Sequence, residues 1–216
     1  MPEVSLGFFP DVGGTWLLSR APGELGTYFG LTGQTANGPD ALAARMADVF
    51  IATSDWPALR EALTKLAALV DASAVMATLQ RFSVSEQTGP VTAQRALIDR
   101  AFAHDSVEEI IAALEQDGSD FARATLKAMD DKSPRGLKVT LKLLRLARAS
   151  TSLEECLSRE YLAALEVFES ADFVEGVRAA IIDKDRNPQW QPPTLQGVTP
   201  EIVARYLAPR DVALTF

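Results

Sequence analysis

From about residue 55 onward, apolar residues recur three and four apart, and residues that cap helices stand just ahead of several of the runs. Trp56, Leu59, Leu63, Leu66 and Val70 form one such series; Leu137, Leu141, Leu144 and Leu146 form another. This is the period of an α-helix that buries one face. Ser106 with Glu109, and Ser152 with Glu155, have the Ser-x-x-Glu spacing of a capping box. Ser133-Pro134 and Thr199-Pro200 place a hydroxyl cap before a proline suited to a first helical turn. Further helices are predicted over 72–82, 92–103, 121–129 and 173–182. No fixed-period repeat is evident, which disfavours a helical solenoid.

Residues 1–52 are different. They are rich in Gly and Pro and carry short apolar runs at Val4 to Phe9, Trp16 to Leu18 and Val49 to Ile51. The last run reads as a short strand after a helix-like stretch from Pro39 to Ala47, with Asn37-Gly38-Pro39 as a turn. The expected fold class is therefore mainly α with a small α/β N-terminal remnant. The expected division is a remnant over 1–52 and a helical region over 53–216.

Hydrophobic residues make up 47% of the 216 and charged residues 23%, an ordinary globular balance. The net charge of −8 argues against unspecific nucleic-acid binding, which needs clustered Lys and Arg. No apolar run is long enough to span a membrane, and the Met-Pro-Glu start has no basic n-region of a signal peptide. Cys156 and His104 are the single cysteine and histidine. One cysteine cannot form an intrachain disulfide, which fits a reducing compartment, and the expected location is the bacterial cytoplasm. A Cys/His zinc site is excluded on the same count, and no metal is expected. His104 has no nucleophile motif beside it and reads as an exposed loop residue. Cys156 reads as a small buried apolar residue in an amphipathic helix. There is no Gly-rich phosphate loop.

The informative stretch for chemistry is Met1 to Thr15. Glu3 and Asp11 bracket an apolar segment, and each lies beside a proline that restrains the backbone. Gly13-Gly14 permits a tight turn before the next helix-like run. Carboxylates near apolar walls can be tuned for proton transfer and can divide the acid and base roles. By themselves the same residues also read as two surface carboxylates at turns.

Pro2-Glu3, then Leu6-Gly7, then Phe9-Pro10-Asp11-Val12-Gly13-Gly14 resembles the active-site segment of the 3-hydroxyisobutyryl-CoA hydrolases, in the crotonase superfamily. Ser133-Pro134 followed by Leu137-Lys138-Val139-Thr140-Leu141 is similar to a helix start of that family. So is Asp172-Phe173-Val174-Glu175-Gly176-Val177-Arg178-Ala179, followed by Ile182-Asp183-Lys184-Asp185 and Pro188-Gln189-Trp190. Leu31-Thr32-Gly33, Asp40-Ala41 and Val198-Thr199-Pro200-Glu201 also fit, so the likeness covers nearly the whole chain. Enoyl-CoA hydratases and isomerases carry a related segment but usually another residue where Asp11 stands.

The resemblance implies the C-terminal portion of a crotonase (ClpP/crotonase-like) fold. It also implies hydrolysis of a short 3-hydroxyacyl-CoA thioester, of the kind formed in valine breakdown. Glu3 would be nucleophile or general base and Asp11 its partner. Phe8, Phe9 and Gly14 would border the acyl pocket, although core packing serves Phe8 and Phe9 equally well. Arg178 and Lys184 would meet the CoA phosphates; the alternative is a solvated helix end with a local Asp183–Lys184–Asp185 charge cluster. No cofactor is expected beyond the CoA of the substrate, and a homo-oligomer is allowed for. The family's N-terminal βα part, which supplies oxyanion-hole donors, is absent from this sequence, so the chain is expected to be inactive alone. Apolar surface around Val4 to Phe9 and Val49 to Ile51 is then expected to be poorly covered. The rival readings are an enoyl-CoA hydratase or isomerase and a non-catalytic helical interaction module.

Overall fold

The structure is a computed structural model and describes residues 1–66, 71–84, 88–212 and 214–216. A 3-10 turn over Glu3–Leu6 leads to α1 (Gly14–Ser19), α2 (Leu25–Thr32), α3 (Gly38–Ala43), α4 (Trp56–Thr64) and α5 (Ala72–Gln80). Then follow α6 (Arg95–Ala101), α7 (Val107–Asp117), α8 (Asp120–Asp130), α9 (Pro134–Ala149) and α10 (Leu153–Phe168). The last are α11 (Ala171–Val177), which runs into a π-helical turn over Arg178–Ile182, and α12 (Pro200–Arg205). The helices start where the capping residues predict. Ser106, Ser133 and Ser152 each accept a backbone N–H three residues on, and Ser119 and Asp71 do the same where no cap was predicted. The expected continuation of the α4 series to Val70 lies outside the described residues.

The chain forms two compact units: Met1–Thr35 with Gln94–Phe216, and Ala36–Ala93. In the first, α9 is the centre. Leu137, Val139, Thr140, Leu141, Leu143, Leu144 and Ala147 are all buried, so the helix is covered on more than the one face a four-leucine stripe implies. The turn Glu3–Leu6 and α1, α2, α7, α10 and α12 all pack on it. Helices α1 and α2 approach so closely that a Cβ on Gly26 would lie 1.8 Å from the Leu18 carbonyl oxygen. Only glycine fits that crossing.

A buried ion cluster ties α2 to α9. Glu24, 8% exposed, accepts from Arg148 Nη1 at 2.8 Å, from Arg145 Nη1 at 3.3 Å and from the Thr27 hydroxyl at 2.7 Å. Arg145 also donates to the carbonyls of Phe102 and His104, both at 2.7 Å. A carboxylate taken out of water is tolerable when its lone pairs are used this fully.

Val4 and Phe9 are completely buried and Phe8 nearly so, which corrects the expectation of poorly covered apolar surface there. Phe8 and Phe9 stack with ring centroids 4.6 Å apart, in a cluster with Val139, Leu143, Ala163, Val167 and Tyr206. Helices α9, α10 and the segment around α12 thus supply the cover. Burying each such side chain contributes on the order of 2 kcal/mol.

In the unit Ala36–Ala93, the Asn37 side chain caps α3 by accepting from Asp40 N at 2.9 Å. The buried Asp40 carboxylate accepts from Thr92 N at 2.8 Å and Thr92 Oγ1 at 2.7 Å, closing the unit on itself. Among the described residues, the strand expected at Val49 to Ile51 is reduced to one antiparallel bridge, Ile51 with Ser83, and a bond from Val84 N to the Phe50 carbonyl at 2.8 Å. An isolated pair of extended segments has too few ladder bonds to persist as a sheet. No helix among the described residues is long and apolar enough to cross a membrane.

Candidate active site

Glu3 stands at the first position of the 3-10 turn. Its carbonyl accepts from the backbone N–H groups of Gly7 and of Phe8, the latter at 3.0 Å, so the turn closes tightly behind it. Gly7 adopts a left-handed conformation (φ +69°), and a Cβ there would lie 2.6 Å from the Asp172 backbone. The Val4 carbonyl accepts from Ser133 N at 3.2 Å. The turn is therefore pinned to the starts of α9 and α11.

One carboxylate oxygen of Glu3, Oε2, is buried and has no hydrogen-bond partner among the described residues. Burial pushes this carboxyl above the usual glutamate range. Its own backbone N–H and the Met1 amino group pull the other way, and the charge of Asp11 adds a further upward push. A carboxyl with raised proton affinity and a free oxygen is suited to accept a proton from water near neutrality.

Asp11 opens the turn into α1, and its carbonyl accepts from Gly14 N at 2.7 Å. The next residue, Val12, has φ +48° and is 87% exposed. A β-branched residue in the left-handed region is strained, and such strain gathers at functional sites. Replacing it by an asparagine, which tolerates that conformation, should raise unfolding stability by about 1 kcal/mol, because almost no packing is lost. Chemical denaturation of Val12→Asn checks this; a lowered midpoint would mean that the turn does not carry the strain.

Behind the turn lies a residue that sequence reasoning passed over. Glu160, 3% exposed, accepts from Gly13 N at 2.8 Å, from Thr15 N at 3.0 Å and from the Thr15 hydroxyl. It satisfies the open N–H groups at the start of α1 and fixes the backbone two residues from Asp11. The available signal was its place in the stripe Cys156, Glu160, Ala163, Val167, a buried face where a carboxylate needs partners.

The other predicted site residues fall as follows. Phe8 and Phe9 lie in the core cluster described above, with Phe8 also 5.5 Å from the Phe173 ring. Gly14 is buried at the start of α1, where a Cβ would meet the Met1 side chain at 2.3 Å; this contact folds the start of the chain back onto the Asp11 turn. Arg178 donates to both oxygens of Glu175 at 2.8 and 2.9 Å, and to Asp183 and Asp185 at 2.7 Å each. Lys184 is exposed, in a left-handed conformation (φ +58°), inside the loop that Arg178 gathers.

The same cluster gives a pH expectation. Hydrogen bonds from Arg178, then from Gln189 N, hold the Glu175 carboxyl down at about 2. A carboxyl depressed in the folded state stabilises it above the ordinary glutamate pKa, and that stability is lost as pH falls through the folded value. The 183–190 loop should thus stay ordered at pH 4 and loosen only near pH 2. Amide exchange of Gln189 across that range is the measurement, and loosening already at pH 4 would refute it.

Residues 1–207 match the profile of the enoyl-CoA hydratase/isomerase proteins. The chain belongs to that family. A mitochondrial 3-hydroxyisobutyryl-CoA hydrolase of Xenopus tropicalis is 37% identical over 95% of this chain and 54% of its own length. The small ribosomal subunit protein mS47 of Arabidopsis thaliana is 38% identical over 96% of this chain and 53% of its own. Among solved structures, a carnitinyl-CoA dehydratase from Mycobacterium thermoresistibile superposes with a TM-score of 0.90 at 39% identity, over 100% of this chain and 60% of that one. The chain thus spans about half the length of these two relatives. It is a mainly α-helical, C-terminal portion of the crotonase fold, as the resemblance implies. The expectation of a bacterial cytoplasmic location is overturned: the Xenopus tropicalis relative is mitochondrial, and a single cysteine says only that no intrachain disulfide can form.

Proposed function

We propose that this enoyl-CoA hydratase/isomerase family chain carries the acting carboxylates of a short 3-hydroxyacyl-CoA thioester hydrolase, of the 3-hydroxyisobutyryl-CoA type that serves valine breakdown. The observation that supports it is the Glu3 carboxyl: partly buried, one oxygen unpartnered, its proton affinity raised, with the Asp11 charge felt at it. The 3-hydroxyisobutyryl-CoA hydrolase relative points to the same chemistry.

In this reading Glu3 takes a proton from water as the oxygen attacks the thioester carbon. The carbonyl π electrons move onto its oxygen, then return as the C–S bond breaks and the CoA thiolate leaves. Glu3 then returns the proton to the thiolate. Direct attack by the Glu3 carboxylate, followed by hydrolysis of the anhydride, is the other route open to the same residue. Asp11 orients the substrate hydroxyl or helps at the leaving thiolate. Phe8, Phe9 and Gly14 shape the wall behind the acyl group, and Arg178 and Lys184 are proposed for the CoA phosphates, Arg178 alongside its structural bonds. No cofactor beyond the CoA of the substrate is needed. Hydrogen-bond donors for the thioester oxyanion come from a part of the fold that lies outside this sequence, so the chain alone is proposed to be inactive.

The test follows thiol release from 3-hydroxyisobutyryl-CoA with the chain itself and with a version extended upstream by a crotonase N-terminal half. Hydrolysis by the extended protein only is the expected result. Hydration of an enoyl-CoA with the thioester left intact would move the assignment to the hydratases. One observation favours a second reading: the relative of 38% identity that is a ribosomal subunit protein. If the chain is such an interaction module, the extended protein should neither bind nor cleave acyl-CoA.

A further inference from the structure

Three segments meet beneath Glu3. Ser133, fully buried at the start of α9, donates from its hydroxyl to Asp172 Oδ2 at 2.6 Å and accepts from Gly136 N at 2.9 Å. Its backbone N–H holds the Val4 carbonyl. Asp172, 1% exposed, uses its other oxygen to accept from Gln191 N at 2.9 Å, and Arg135 Nε stands 3.9 Å from Oδ2. Two glycines let the backbones touch: Gly7 against the Asp172 backbone, and Gly176, where a Cβ would lie 2.5 Å from the Leu6 carbonyl group. Asp172 is thus sealed from solvent, with both oxygens bonded inside the protein, and cannot touch a substrate. What it can do is hold the segment that carries Glu3. A buried carboxylate is costly unless its bonds are satisfied, so the arrangement has one low-energy geometry.

We infer that Ser133 and Asp172 are positioning residues for Glu3: their bond locks the Glu3–Gly7 turn between the starts of α9 and α11 and fixes the direction of the Glu3 carboxylate. The inference rests on the reading of Glu3 as the acting carboxylate and adds the residues that aim it.

The test needs no turnover. The chain is labelled with 13C at the glutamate carboxyl carbons, the Glu3 signal is assigned by its loss in Glu3→Gln, and each carboxyl is titrated by NMR. Ser133→Ala changes no charge. It should let the turn loosen and water reach Glu3, so the Glu3 midpoint moves down toward the ordinary glutamate value. The Glu175 midpoint should stay where it is, and exchange of the Phe8 amide should quicken. Ser133→Thr, which keeps the hydroxyl, should restore the native midpoint. Should Ser133→Ala not fold, Asp172→Asn keeps the size and one acceptor and is titrated in its place, with the same direction expected. An unchanged Glu3 midpoint and an unchanged Phe8 amide in the folded variant overturn the inference.

In the extended protein, Ser133→Ala should lower kcat by up to about a hundredfold with KM little changed, the mark of a misaimed group rather than a lost contact. The two ideas separate cleanly. If Glu3→Gln keeps full turnover while Ser133→Ala still shifts the Glu3 midpoint, the hydrolase reading fails and the lock stands. If Glu3→Gln abolishes turnover but Ser133→Ala leaves the midpoint in place, the lock fails alone.

Discussion

Replacing Glu3 by glutamine in the upstream-extended protein should cut hydrolysis of 3-hydroxyisobutyryl-CoA by roughly a hundredfold or more, the usual loss when acid–base help is removed. The change keeps the size of a side chain held in a tight turn against α9 and α11, so the fold should not suffer. It removes the proton acceptor whose Oε2 is buried and unpartnered. Substrate binding should change little, because a neutral amide fits the same space. The pH dependence follows the same group. The raised Glu3 carboxyl must be ionised to act as base, so activity should rise through a midpoint above the usual glutamate range and flatten once Glu3 is ionised. Asp11→Asn should also slow turnover and raise KM if Asp11 orients the substrate hydroxyl. Wild-type turnover in Glu3→Gln would end the proposed mechanism.

The largest expected loss of stability comes from Glu160→Ala. That carboxylate serves two backbone N–H groups and a hydroxyl at the start of α1, and it is almost wholly out of water. Its removal leaves the Gly13 and Thr15 donors without partners and opens a space beside Cys156 and Ala163. Unsatisfied buried donors cost about 1–3 kcal/mol each, so a total of about 3–5 kcal/mol is expected. Urea unfolding followed by circular dichroism measures it. A loss below about 1 kcal/mol would show that water replaces the carboxylate freely. The effect should reach the Asp11 turn as well, since Gly13 is held only two residues away.

The helices were legible because their signals are local. Ser106, Ser133 and Ser152 cap where Ser-x-x-Glu or Ser-Pro stands, and these bonds span three residues. Glu3 and Asp11 were legible through the resemblance of their segment, since two carboxylates beside prolines say little by themselves. Other features depend on partners far along the chain. Nothing near Glu160 shows that Gly13 and Thr15 will meet it, and nothing near Ser133 shows that Val4 and Asp172 will. The cover over Phe8 and Phe9 was misjudged for the same reason: Val139, Leu143, Val167 and Tyr206 all lie more than a hundred residues away. The strand at Val49 to Ile51 was misread because apolar β-branched runs favour extension, yet among the described residues a single bridge pairs with it.

The bond from Gly13 to Glu160 joins residues 147 positions apart, and this has a consequence for synthesis. A ribosome adding about 5–20 residues per second needs roughly 7 to 30 seconds to make that stretch. Until α9 and α10 have emerged, Phe8 and Phe9 lack the side chains of Val139, Leu143, Ala163 and Val167 that cover them, and the Glu3 and Asp11 turns lack the bonds from Ser133 and to Glu160 that hold them. Residues 1–15 thus wait for segments made well over a hundred residues later before they acquire their native surroundings. A nascent chain halted before Glu160 should present these apolar side chains to any chaperone waiting at the exit.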